Sequence, residues 1–160
     1  MVATVKHHKT PVGGRTFECY SEDPELTGAL ASAYVRGVQS HDVAVTVKHF
    51  AANDTEIERM SVDVDVDERT LRELYLRPFE RTVNDAEAWG IMSAYNRLDG
   101  EFCAHNRRLL TDILRDEWGF DGFVVSDWGS IGEMVAHGVA KDNAQAAQIA
   151  IKAGSDMDME

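Results

Sequence analysis

Apolar residues recur along this chain in two alternating rhythms, and the switches between them predict its elements. Leu26, Leu30, Ala33, Gly37 and Val38 follow helical spacing, behind Asp23 as an N-cap and Pro24 at the first helical position. After "SHD" comes a valine-rich run, Val43–His49, which reads as a strand ending in Lys48 and His49. A second helix is expected after Asp67, with Leu71, Leu74, Tyr75 and Phe79 on one face and a kink at Pro78. A strand over Gly90–Tyr95 follows. The third helix runs from an Asn106 cap through Leu110, Ile113, Leu114 and Trp118, and Gly119 stops it. Phe123–Asp127 is a further strand, since Phe123, Val124 and Val125 succeed one another without polar alternation, as in a strand covered on both faces. An Ala-rich helix, "DNAQAAQIAIKAG", leads to a last strand near Asp156–Met159.

Helices and strands that alternate across short turns imply an α/β fold with a parallel sheet and helices packed outside it. At 160 residues there is room for about four βα units, whereas a closed (β/α)8 barrel typically needs around 250 residues. The chain is therefore a small open sheet or part of a barrel. Its polar residues bear on the choice. Lys48 and His49, Tyr95 and Asn96, and Ser126 and Asp127 all stand at the C-terminal ends of their strands. Both barrels and open α/β sheets carry their chemistry on that edge.

Composition narrows the partners. Hydrophobic residues make up 44% of the chain, enough for a real core. Lys and Arg number 16 against 28 Asp and Glu, a net charge of −12, which repels nucleic-acid phosphates and anionic membranes. No apolar run approaches a membrane span, and the first twenty residues lack the apolar core of a signal peptide, so a cytoplasmic location is the default expectation. Cys19 and Cys103 are isolated and suggest neither a disulfide scaffold nor a zinc site. "DVDVD" at Asp63–Asp67 starts like a calcium loop, but Glu68 stands where glycine is required and Leu74 where glutamate is. His7–His8 has no further ligand at useful spacing, and Ser126 lacks a G-x-S-x-G setting.

Asp127, held against Trp128 at the end of an apolar strand, has two readings: a helix N-cap or a functional carboxylate. The motifs around it carry a resemblance. "GGRTFECYSEDPELTG" (Gly13–Gly28), "VKHFAAND" (Val47–Asp54), "MSAYNRLDG" (Met92–Gly100), "LLTDILRDEWGFDGFVVSDWG" (Leu109–Gly129) and "AGSDMDM" (Ala153–Met159) cover most of the chain. In that order they resemble glycoside hydrolase family 3, the β-glucosidase group, and specifically the C-terminal half of its catalytic (β/α)8 barrel. The fold implied is a partial TIM barrel of about four βα units spanning residues 1–160.

The resemblance implies a retaining glycosidase that cleaves terminal non-reducing β-D-glucosyl residues through a covalent intermediate on Asp127, without a cofactor. Arg15, Lys48 and His49 would hold sugar hydroxyls, Tyr95 would lie against the nucleophile, and Met92 and Trp128 would line the pocket. The family's proton donor is a carboxylate on a later domain, outside this chain. One branch, which cleaves N-acetylglucosamine, carries a histidine donor in the loop after "KHF", but here that loop reads "AANDTEIERMS". The chain alone is thus expected to be weakly active or inactive. Its open sheet edges are expected to promote self-association.

The residues support this chemistry on their own terms. A nucleophilic carboxylate must stay ionised, which cationic neighbours favour, and retaining hydrolysis pairs it with a second carboxyl about 5–5.5 Å away. Lys, Arg and His read hydroxyls, and an indole covers a sugar face. Two other readings remain open: a non-catalytic sugar-binding or interaction module, and a lyase that uses Lys48 as a Schiff-base nucleophile.

Overall fold

The computed structural model describes residues 1–160. Seven strands form along the chain: β1 (Val2–Thr4), β2 (Thr46–Phe50), β3 (Asp63–Val64), β4 (Gly90–Ser93), β5 (Arg97–Leu98), β6 (Glu101–Phe102) and β7 (Phe123–Val125). Four of them build one parallel sheet in the order β1-β2-β4-β7, and β3, β5 and β6 pair in a small second sheet. The helices are α1 (Pro24–Gln39), α2 (Glu68–Thr70), α3 (Arg77–Asn84), α4 (Ser130–Ala136) and α5 (Asn143–Ala153), with π-helical stretches at Leu71–Leu76 and Arg108–Glu117. None is long and apolar enough to cross a membrane.

The α/β class and the parallel sheet are as expected, but one strand is replaced by another. Residues 156–159 make only an isolated bridge, Val125 to Met157. The reason is local competition. The Asp156 carboxylate takes the Val124 N–H at 2.7 Å, a donor that a paired strand would use, while Asp158 accepts from the Ser126 hydroxyl at 2.9 Å. Short polar side chains of this kind substitute for the ladder they interrupt. The fourth parallel strand is instead β1, three residues long and paired with β2 from Val2–Thr46 to Thr4–Lys48.

The caps are where the pattern places them. The Asp23 carboxylate accepts from the N–H groups of Glu25 and Leu26, and Asn106 accepts from Leu109 at 3.0 Å. Pro78 has a consequence beyond a kink. It offers no N–H to the carbonyl four residues earlier, that of Leu74. His7 Nε2 lies 2.7 Å from that oxygen and serves as its donor, which gives half of the His7–His8 pair a structural task.

The core lies between the sheet and its outer helices. Val5, Val47, Ile91 and Val124 meet Ala31, Val35, Phe79, Leu110 and Leu114, all buried. Phe50 anchors it, with ring centres 4.9 Å from Phe79 and 5.9 Å from Trp118. The sheet's other face is closed at its lower end by Phe123, whose ring lies across Gly90. A Cβ on Gly90 would stand 2.5 Å from that ring. Burial pushes the thiols up, Cys19 to about 11 and Cys103 to about 12, so both are protonated at neutral pH.

Candidate active site

The C-terminal ends of β2, β4 and β7 bring the polar residues together. Between Val47 and Phe50 the pairing of β2 with β4 slips by one residue. Such a bulge breaks the in–out alternation and re-aims side chains. Consecutive residues Lys48 and His49 are thereby both largely buried, and both serve the same sheet edge.

Asp127 is 7% exposed and does not cap the helix that follows it. Gly129, at φ +68°, occupies the N-cap position of α4 without a side-chain bond, a backbone state suited to glycine. Asp127 Oδ1 instead accepts the N–H of Trp128 at 2.8 Å. Its Oδ2 is buried without a hydrogen-bond partner and faces His49 Nε2 at 3.4 Å. This is no ion pair: burial first, then the charges of Lys48, Arg15, Lys6 and Arg59, hold His49 down to about 2, so its imidazole is neutral. Burial also pushes the Asp127 carboxyl above its ordinary value, against the Trp128 N–H and the charges of Lys48, Arg15 and Arg59, which pull it down.

Around this carboxylate runs a lattice of opposite charges. Lys48 Nζ lies 3.5 Å from Glu18, which also pairs with Arg15 and accepts the Thr4 hydroxyl at 3.1 Å. Burial alone would raise Glu18, but Arg15, Lys48 and Thr4 override it and leave the carboxyl below the usual range. Glu56 pairs with Lys6 and with Arg59, each at 3.1 Å. The Arg59 guanidinium stands 5.2 Å from the Tyr95 ring centre, and the Tyr95 hydroxyl donates to the Trp128 carbonyl at 2.6 Å. Burial, then the nearby charge of Asp127, pushes the Tyr95 phenol up.

Of the residues singled out in the sequence, Arg15, Lys48, His49, Tyr95 and Asp127 thus occupy one neighbourhood. Met92 is buried on the face of β4 opposite Ile91, in register with Val125 two residues before Asp127. Trp128 is the outlier, with 65% of its surface open to solvent. Sequence reasoning missed Lys6, Glu18, Glu56 and Arg59. A signal existed for two of them, because Glu56 and Arg59 follow Lys48 and His49 in the loop at the same strand end.

A cavity of about 790 Å³ lies elsewhere, at the N-terminal ends of β4 and β7 among Trp89, Trp118, Phe120 and Phe123. Volume alone would favour it. None of the side chains lining it has a buried polar atom without a partner, whereas Asp127 Oδ2 and His49 Nδ1 are both in that state. Barrel chemistry also belongs to the opposite edge. The charged edge is therefore the better candidate.

That edge gathers cationic side chains around a buried carboxylate, and comparison with known proteins adds a family to it. Residues 2–160 match the family model for the glycosyl hydrolase family 3 N terminal domain. A beta-glucosidase of Rhizobium radiobacter is 57% identical over 128 residues, 80% of this chain and 16% of that protein. An exo-alpha-(1->6)-L-arabinopyranosidase of Bifidobacterium longum is 53% identical over 76% of this chain and 16% of its own length. Beta-glucosidase 3B from Thermotoga neapolitana, solved in complex with glucose, superposes with a TM-score of 0.87 at 46% identity over 99% of this chain and 21% of that one. The chain thus spans about a sixth of the length of the curated relatives it matches.

Proposed function

The chain belongs to glycosyl hydrolase family 3, and from that premise we propose that it carries the nucleophile portion of a retaining glycosidase acting on terminal β-D-glucosyl residues. The observation that carries this reading is the Asp127 carboxylate: buried at a strand end, one oxygen bonded to Trp128 N–H, the other unpartnered, with Lys48, Arg15 and Arg59 supplying positive field.

In the first step an Asp127 oxygen bonds to the anomeric carbon while the bond to the leaving oxygen breaks. That oxygen keeps the electron pair and takes a proton from a general acid. Water, deprotonated by the same group, then displaces Asp127 and releases the sugar with its configuration retained. Lys48 and Arg15 donate to sugar hydroxyls, Tyr95 and Met92 border the attacking oxygen, and Trp128 offers an apolar face. His49, neutral, adds a hydrogen-bonding ring without competing for the Asp127 proton.

In this reading the general acid is the carboxylate that the family resemblance assigns to a later domain. Glu18 is held below the usual carboxylate range by Arg15, Lys48 and Thr4, so it offers no proton. Without that acid, glycosides with poor leaving groups lose about 10²–10⁴-fold in rate, while activated aryl glycosides can still load Asp127. The aryl series also separates the two substrate types suggested by the relatives: faster reaction of an aryl α-L-arabinopyranoside than of an aryl β-glucoside reverses the assignment of the glycone.

Calorimetric titration with glucose tests the binding half of this proposal. Saturable binding is expected, and Lys48→Met or Arg15→Met should weaken it about 10-fold or more, the loss of one charged hydrogen bond. A flat titration with the unaltered chain counts against a sugar site. The sheet adds a second expectation. β1 and β7 are its two edges; residues 156–159 cover that of β7, which leaves β1, and an edge without a strand partner recruits one. Size-exclusion chromatography at micromolar concentration should show species larger than 17.8 kDa. A single sharp monomer peak contradicts this.

A further inference from the structure

The two glutamates beside Asp127 divide the surrounding cations unequally. Glu18 takes Lys48 and Arg15. Glu56 accepts from Lys6 Nζ and Arg59 Nη1, each at 3.1 Å, and stands 4.0 Å from Arg15 Nη1. These three cations come from three separate segments: the residues after β1, the turn before the short helix Thr16–Glu18, and the loop after β2. Lys6 is only 5% exposed, and a lysine that buried is tolerable only beside a counter-charge. Glu56 is the acid it pairs with.

The backbone follows the same logic. A Cβ on Gly14 would lie 3.0 Å from Glu56 Cγ, so the turn that carries Arg15 rests directly on this side chain. On its other side Glu56 fixes Arg59, whose guanidinium lies over the Tyr95 ring. Tyr95 in turn donates to the carbonyl of Trp128, the residue after the nucleophile. A run of contacts thus links Glu56 to the backbone beside Asp127.

We propose that Glu56 is a positioning residue, a clip that joins the Arg15 turn, the Arg59 loop and Lys6 into one rim and so holds the sugar-facing cations in place. The proposal rests on the sugar-cleaving reading of the Asp127 site. Removing the Glu56 charge leaves Lys6, Arg15 and Arg59 facing one another without an anion between them, and like charges at that range spread apart.

The test compares the unaltered 160-residue chain with Glu56→Gln and Glu56→Ala. Inactivation by a fluorinated aryl glucoside is resolved into an affinity, KI, and a maximal rate, kinact. The rim's role predicts that KI and the glucose Kd rise about tenfold, as expected for misplaced binding groups. It also predicts that kinact stays within about twofold, because the nucleophile itself is untouched. An unchanged KI overturns the proposal, and so does a parallel fall of affinity, kinact and Tm, which marks a merely structural residue. Should Glu56→Ala fail to fold, Glu56→Gln carries the measurement. The Nη–H signals of Arg59 and the Nζ–H signals of Lys6, the groups that donate to Glu56, give a readout in nitrogen-15 spectra that needs no sugar. Slow exchange in the unaltered chain that is lost in Glu56→Gln supports the clip, and identical exchange in both refutes it. If the unaltered chain neither binds glucose nor becomes labelled, the functional reading fails, and these signals alone decide the role of Glu56.

Discussion

Asp127→Asn should abolish covalent capture of a fluorinated aryl glucoside, lowering the rate of adduct formation on the order of 10⁴-fold or more, as removal of a nucleophile does elsewhere. Peptide mass spectrometry of the unaltered chain should place the adduct on Asp127, and an adduct on any other residue ends the assignment. The substitution is close to isosteric, and an asparagine oxygen can still accept the Trp128 N–H that Asp127 Oδ1 now takes. What disappears is the charge. Glucose binding without any adduct would identify the non-catalytic module instead, and borohydride trapping of a carbonyl substrate on Lys48 would identify the lyase.

The pH dependence of labelling follows in sign. Burial holds the Asp127 carboxyl above its ordinary value, so labelling should fall as pH drops through that raised value, because protonation removes the attacking pair. The same shift bears on stability. A carboxyl that binds its proton more tightly in the folded state contributes its full share at low pH and loses it as pH rises through the folded value. At neutral pH the ionised Asp127 therefore weighs against folding. Asp127→Asn should raise Tm while destroying function, the trade common at active sites.

The second large effect is acid lability, and it belongs to His49. Burial and four neighbouring cations hold this imidazole down to about 2, whereas an unfolded histidine titrates near 6.5. Between those values the unfolded chain binds a proton that the folded chain refuses. Stability is therefore intact above pH 6.5 and falls as the solution becomes more acid, by about 1.4 kcal/mol per pH unit and roughly 3 kcal/mol by pH 4.5 from this residue alone. Urea unfolding of the unaltered chain and of His49→Gln at pH 7 and pH 4.5 measures the difference. The variant should lose markedly less between the two conditions. Equal losses would mean that His49 is charged in the folded protein or reaches solvent.

Much of the architecture was readable before any coordinates, and the parts that were not share a physical cause. Asp23 and Asn106 announced helix starts because capping is a local bond between residues two or three apart. Lys48, Tyr95 and Asp127 stood out because a polar residue ending an apolar run is visible within a few positions. β1 was missed because "VAT" carries almost no pattern of its own, and its partner begins at Thr46. The run after Gly154 misled in the other direction: its alternation resembles a strand, yet Asp156 and Asp158 spend their side chains on the neighbouring strand. Glu56 and Lys6, 50 residues apart, were invisible as a pair. Motif resemblance can single out Asp127, but it cannot say which cations lean on it.

Pro78 turns what would be a defect into a fastener. Its ring leaves the Leu74 oxygen vacant, and the imidazole of His7, 67 residues earlier in the chain, docks there. The opening segment, which also carries Lys6, is thereby buttoned to the helix wall, so a change at residue 78 can be felt at the Lys6–Glu56 contact without touching it. An alanine there would let the helix reclaim its oxygen and release the His7 ring, while β1 pairing and the Lys6–Glu56 bridge still hold the segment.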